Sequence, residues 1–167
     1  MISNKIKNIK KIIPKEVKLI AVSKTKPVEM IQEAMVSGHL DFGENKVQEM
    51  VFKHEALSKE IRWHMIGHLQ RNKVKYIAPF VHLIHGADSK KLLETINKEG
   101  KKNNRIINCL LQFHIAKEST KFGFSIEELR EIINLKTYQD WDNINIKGVM
   151  GMATFTDNKV QVKEEFS

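Results

Sequence analysis

Lys24 closes the apolar run Leu19-Ile-Ala-Val22 and is followed by Thr25, Lys26 and Pro27. A run of that kind reads as a strand covered on both faces, as in parallel sheets. An amine that must shed its proton and attack a carbonyl carbon is favoured by burial and by a neighbouring cation. In an extended chain Lys24 and Lys26 share a face. Lys26 is therefore expected to tune Lys24 toward the neutral amine that forms a Schiff base with an aldehyde. The competing reading is that Lys24 marks where the strand reaches water. Two further residues offer polar contacts beside it, Asn45 and Lys121, although Asn45 would also serve as a helix cap and Lys121 as loop surface.

The other reactive side chains support less. His64 and His68 have the i, i+4 spacing of zinc ligands on a helix, yet Trp63 to Ile66 reads as strand and Gly67 interrupts any helix. His82 and His85 are set aside on the same ground, and no metal site is expected. Cys109 is the single cysteine and sits inside an apolar run, where it reads as a small core residue. No Gly-x-Ser-x-Gly elbow is present.

The elements that would position these residues alternate. Ile2, Ile6, Ile9 and Ile13 recur at helical spacing, so residues 2 to 13 read as an amphipathic helix ended by Pro14. Strands are expected near 19–22, 40–45, 61–67, 81–87, 106–115 and 146–153. Helices are expected between them: from Pro27 to Gly38, around Val47 to His54, within 69–78, and from Asp88 or Ser89 to Gly100. Residues 101–105 read as a solvated loop. Ser125-Ile-Glu-Glu is a capping box that opens a further helix bearing Ile126, Leu129 and Ile133. Strand-helix alternation implies right-handed crossovers and a parallel sheet. Ser23-Lys-Thr-Lys is unlike the glycine-rich phosphate turn of a doubly wound fold. Lys24, Asn45, His68, Asp88 and Lys121 all fall just past strand ends, as residues at the mouth of a (β/α)8 TIM-type barrel do. The expectation is one α/β domain over residues 1–167, with about six of eight barrel strands and an incomplete C-terminal part.

Composition excludes several classes. No apolar run approaches the roughly 20 residues that span a bilayer, and no secretory signal core is present, so a cytoplasmic protein that does not bind membranes is expected. The net charge of +8 raises nucleic acid as a partner. Only four of the 28 basic residues are arginine and 7% of the chain is aromatic. Nucleic-acid readers draw on arginine forks and stacking aromatics, so a lysine-rich surface with no nucleic-acid partner fits better.

Five blocks then resemble one family: Ala21-Val-Ser-Lys-Thr-Lys-Pro27, Asp41-Phe-Gly-Glu-Asn45 with Val47-Gln-Glu49, Trp63-His-Met-Ile-Gly-His-Leu-Gln-Arg-Asn-Lys73, Lys117-Glu-Ser-Thr-Lys-Phe-Gly123 and Lys147-Gly-Val-Met-Gly-Met152. In this order they are similar to the pyridoxal phosphate homeostasis proteins, single-domain relatives of the alanine racemase barrel. The resemblance implies that Lys24 holds pyridoxal 5'-phosphate (PLP) as a Schiff base, that Asn45 lies near the cofactor and that Lys121 approaches it on exchange. It implies PLP homeostasis without catalytic turnover, with PLP-dependent apo-enzymes as recipients. The alternative is a racemase-like or other PLP-dependent enzyme, which would need a second acid/base group from a separate β-domain. The family's C-terminal Met-Ser-x-Asp, Gly-Ser-Thr and Arg-x-Gly segments, which hold the phosphate and face the pyridine nitrogen, would follow Ser167. A monomer is expected for the complete barrel, and association through open strand edges for a truncated one.

Overall fold

The computed structural model describes residues 1–115 and 122–167. Six strands, β1 (Ala21–Val22), β2 (Asp41–Glu44), β3 (Arg62–Met65), β4 (Leu83–Ala87), β5 (Ile107–Phe113) and β6 (Ile144–Gly151), form one sheet. Their spatial order is β1-β2-β3-β4-β5-β6 and every pair is parallel. Each strand thus lies beside its predecessor after a crossover, and the order never reverses. A doubly wound sheet reverses at a switch point, whereas a barrel advances in one sense. The architecture is that of six successive barrel strands, as expected.

The crossovers are α2 (Val28–Met35), α3 (Val47–Ala56), α4 (Val74–Ile77), α5 (Lys90–Lys102) and α6 (Ile126–Asn134), with α1 (Ile2–Ile12) before the sheet and α7 (Lys159–Glu165) after it. Strand side chains alternate between faces. Phe42, Trp63, Met65, Ile84, Ile107 and Cys109 join the core formed with Ile31, Met50, Val74, Ile77, Leu93 and Ile96 of the helices. Burial pushes the Cys109 thiol up to about 12, consistent with an inert core residue. The other face lines a cavity of about 410 Å3, open to solvent, through Ile20, His64, Leu83, His85, Asn108 and Lys147. Among the described residues no helix is long and apolar enough to cross a membrane.

Four local expectations are corrected. Gly100 does not end α5, which continues to Lys102. Gly100 is buried, and a Cβ there would lie 2.8 Å from the Asn143 carbonyl oxygen and 3.0 Å from that of Arg105, so its role is close approach. The 101–105 segment is not wholly solvated: the Arg105 guanidinium donates to the carbonyls of Ala78 and Val81. On α6 the capping box forms as read, with the Ser125 hydroxyl accepting from the Glu128 amide, but Ile132 is the residue buried while Ile126 and Ile133 are exposed. The expected helix within 69–78 is split into a 3-10 turn at Arg71–Lys73 and the single turn of α4.

Candidate functional site

The C-terminal ends of β1 and β2 are in register, Val22 opposite Gly43, and the Ser23 amide extends the pairing by donating to the Gly43 carbonyl at 3.0 Å. Lys24 and Asn45 each stand two residues beyond that pair, on adjacent strand ends. Asn45 is half-buried against Gly67, which follows β3. A Cβ on Gly67 would sit 2.5 Å from the Asn45 carbonyl oxygen, so the missing side chain lets the two strand-end segments touch.

Lys24 lies in a tight turn. The Lys26 amide donates to the Ser23 carbonyl at 3.0 Å, and Thr25 adopts a left-handed conformation with φ 62°. Because the chain turns there, the two lysines do not share one face of an extended strand. Both are exposed. The burial expected to favour a neutral amine at Lys24 is therefore absent.

What holds the turn is a buried ion network that sequence reading missed. Lys53 of α3 has a side chain only 3% exposed. Its ammonium donates to the Ser23 carbonyl at 2.7 Å, to Glu44 Oε1 at 2.8 Å and to Glu49 Oε1 at 2.7 Å. Glu49 Oε1 also accepts from the Thr25 amide at 2.6 Å, and Glu44 Oε1 accepts from the Ser23 hydroxyl at 2.6 Å. The backbone on both sides of Lys24 is thus tied to side chains of β2 and α3. Burial raises the Glu44 carboxyl above its ordinary range against the opposing pull of Lys53 and Ser23. Burial also works against the charge on Glu49, but the hydrogen bonds from Lys53 and the Thr25 amide prevail and lower it. The signal was available: Glu49 and Lys53 stand at i, i+4, which places both on one side of α3.

His68 and Asp88, the other residues expected at the mouth, do meet. His68 Nδ1 lies 3.0 Å from Asp88 Oδ2, and the imidazole stacks on Phe122 with ring centres 3.8 Å apart. Beside them a cavity of about 620 Å3 is lined by Gln70, Arg71, Ser89 and Lys91. Lys121 lies outside the described residues.

Three of the histidines set aside on linear spacing, His64, His82 and His85, gather away from that mouth, toward the opposite end of the strands. Asp41 opens β2, where Arg62 grips its carboxylate with Nε at 2.8 Å from Oδ1 and Nη2 at 2.6 Å from Oδ2. His64 spans Asp41 and β4, with Nε2 at 3.1 Å from Asp41 Oδ1 and Nδ1 at 3.0 Å from His85 Nε2. His82 stands beside it, ring centres 5.2 Å apart. Burial opposes ionisation of Asp41, but Arg62 and His64 outweigh it and hold the carboxyl far below the usual range. Burial pushes His64 down to about 4 and lowers His82 and His85 as well. Strand register, with His64 opposite Leu83, brings these residues together. Spacing along one strand could not show it.

Comparison with known proteins now defines the class. The family model described as "Alanine racemase, N-terminal domain" matches residues 1–167. A pyridoxal phosphate homeostasis protein of Aquifex aeolicus is 38% identical over 150 residues, covering 89% of this chain and 65% of the relative. One from Buchnera aphidicola subsp. Baizongia pistaciae is 34% identical, covering 96% of this chain and 72% of the relative. The structure of PipY from Synechococcus elongatus PCC7942 with PLP bound has a TM-score of 0.89 at 29% identity, covering 99% of this chain and 77% of PipY. Alanine racemase from Clostridium difficile shares the fold, with a TM-score of 0.75 at 15% identity. This chain belongs to the alanine racemase N-terminal domain family and, within it, to the pyridoxal phosphate homeostasis proteins. It spans about two thirds of the length of the curated relatives it matches, 65% for the first two.

Proposed function

We propose that this chain binds pyridoxal 5'-phosphate at the C-terminal ends of its strands, with the Lys24 amine as the point of covalent attachment. The observation that carries the reading is the Lys24 turn: an exposed amine on a backbone fixed from both sides by Glu49 and Lys53. A primary amine at the end of the first barrel strand, with an amide side chain on the next strand end, fits an aldehyde cofactor. When bound, the cofactor supplies that aldehyde, which an amine captures reversibly with loss of water. Lys24 provides the nucleophile and a place to hold the cofactor, while Asn45 provides a neutral polar contact. Lys26 contributes positive charge near an anionic ligand rather than desolvation, and Lys121 is assigned to cofactor exchange. The PLP bound to PipY and the names of the curated relatives support the same reading.

The role we infer is cofactor homeostasis in the cytoplasm, by holding PLP and releasing it to apo-enzymes, without a catalytic cycle. Borohydride reduction of the chain with PLP, followed by peptide mass mapping, tests the site. The label is expected at Lys24 and is expected to be lost in Lys24→Ala. Labelling spread over surface lysines and unchanged in that variant would refute the assignment. Incubation with L-amino acids is expected to yield no D-isomer and no deaminated product. Sustained turnover would instead identify a racemase-like enzyme.

A further inference from the structure

A second cluster lies at the other end of the strands, away from the Lys24 turn, and the proposed cofactor reading does not use it. Asp41, His64 and His82 each present one ligand atom, and these atoms lie within 4.8 Å of one another. We propose that they form a binding site for a late first-row divalent cation of the zinc type.

The geometry favours this set. Zinc bonds to imidazole nitrogen and carboxylate oxygen are about 2.0–2.2 Å long, so a 3.1 Å separation is spanned by one ion at an angle of about 95°. That is the separation between His64 Nε2 and Asp41 Oδ1. The ion would take the place of the shared proton. A tetrahedral site needs ligand atoms about 3.4 Å apart, and the three atoms lie within 4.8 Å of one another, so the His82 ring must swing inward by up to about 1.4 Å. His82 is only half-buried, which leaves it room to do so.

The surrounding hydrogen bonds match what a bound ion requires. A histidine that ligates through Nε2 carries its proton on Nδ1 and donates it to a neighbour. His64 Nδ1 has that neighbour, His85 Nε2 at 3.0 Å. Arg62 holds both carboxylate oxygens of Asp41, Nε on Oδ1 and Nη2 on Oδ2, and so fixes the orientation in which Oδ1 meets His64 Nε2. The cavity lined by His64, His82 and His85 leaves space for a water as fourth ligand. A cation already sits near this position: the Lys18 ammonium lies 3.9 Å from Asp41 Oδ1, and its side chain is 56% exposed. It can withdraw to solvent when a metal ion arrives. Imidazole and carboxylate donors without thiolate suit zinc, cobalt or nickel. The rival reading, a polar layer that serves only to satisfy its own hydrogen bonds, requires that the cluster bind no ion.

Cobalt(II) titration of the full chain tests the proposal. One equivalent is expected to bind, with the ligand-field bands of a nitrogen-oxygen site that zinc abolishes. His82→Gln is expected to weaken binding by about tenfold or more, while His68→Gln, at the other end of the strands, leaves it unchanged. In the unaltered chain, zinc is expected to shift the ring-nitrogen resonances of His64 and His82 but not those of His68. Absence of one-equivalent binding would overturn the proposal. So would binding that survives His82→Gln, or zinc-induced shifts that fall on His68 instead.

Discussion

Lys53→Met isolates the network beneath the Lys24 turn. The ammonium of Lys53 is 2.8 Å from Glu44 Oε1, and the two side chains are 3% and 0% exposed. Replacing the lysine by a side chain of similar length removes the charge and leaves Glu44 buried with, among the described residues, the Ser23 hydroxyl as its one remaining donor. Breaking a buried pair from one side costs about 3–5 kcal/mol, whereas removing both charges is often close to neutral. The single variant should therefore lose about 3–5 kcal/mol in urea unfolding at neutral pH. Glu44→Gln/Lys53→Met should recover at least about half of that loss. The pH dependence follows from the raised Glu44 carboxyl. A carboxyl raised on folding contributes stability that is present below its unfolded value and is lost as pH rises through the folded one. The deficit of Lys53→Met should accordingly narrow as pH falls from about 7 to about 5. A loss below about 1 kcal/mol, or a double variant no more stable than the single one, would show that the pair does not hold the turn.

Three further outcomes follow from the geometry. His64 is pushed from 6.5 to about 4 on folding, so the unfolded chain takes up this proton first. Stability should fall by up to about 3 kcal/mol as pH drops from about 6.5 to about 4, and urea midpoints should show a shallower fall in His64→Gln. Gly67→Ala places a Cβ 2.5 Å from the Asn45 carbonyl oxygen. It should destabilise by about 1–3 kcal/mol and reduce borohydride-fixed cofactor at Lys24, whereas unchanged labelling would separate Asn45 from the site. Gly100→Ala distinguishes close packing from a helix stop. Helix propensity alone would stabilise the substitution by up to about 1 kcal/mol, whereas a Cβ 2.8 Å from the Asn143 oxygen should make it destabilising in thermal unfolding.

The alternation of strands and helices was legible because each crossover carries its own punctuation, such as Pro27 and Gly38 around α2 and Ser125 with Glu128 at α6. The barrel reading followed from polar residues at strand ends, and the consecutive strand order supports it. The cause assigned to Lys24 reactivity did not survive, because burial was inferred from the apolar run before it. β1 is itself not covered on both faces, since Val22 is 53% exposed, and just beyond it Thr25 turns the chain. The Asp41, His64, His82 cluster was hidden for a different reason. Its members come from two strands and the residue just before a third, and only the register of parallel pairing decides which side chains share a layer. Gly100 was misread because a glycine required for close approach and one required to end a helix look alike until the neighbouring backbone is placed.

The chain does bury a lysine beside the expected site, but it is Lys53, and two carboxylates accompany it. That changes where the selectivity of attachment must come from. Of the 28 basic residues, all but four arginines are lysines, so Lys24 is one of 24 side-chain amines that an aldehyde can meet. Burial does not single it out. What distinguishes it is a backbone fixed at the Ser23 carbonyl and the Thr25 amide, next to the strand end that carries Asn45. A fixed amine raises the effective concentration of the nucleophile over a bound aldehyde, and this effect depends on position rather than on intrinsic reactivity. Loosening the turn should then lower labelling at Lys24 relative to the surface lysines within the same sample. In Lys53→Met the ratio of Lys24 label to total label should fall, even under conditions where the chain remains folded. A ratio equal to that of the unaltered chain would place the origin of selectivity elsewhere than in the turn.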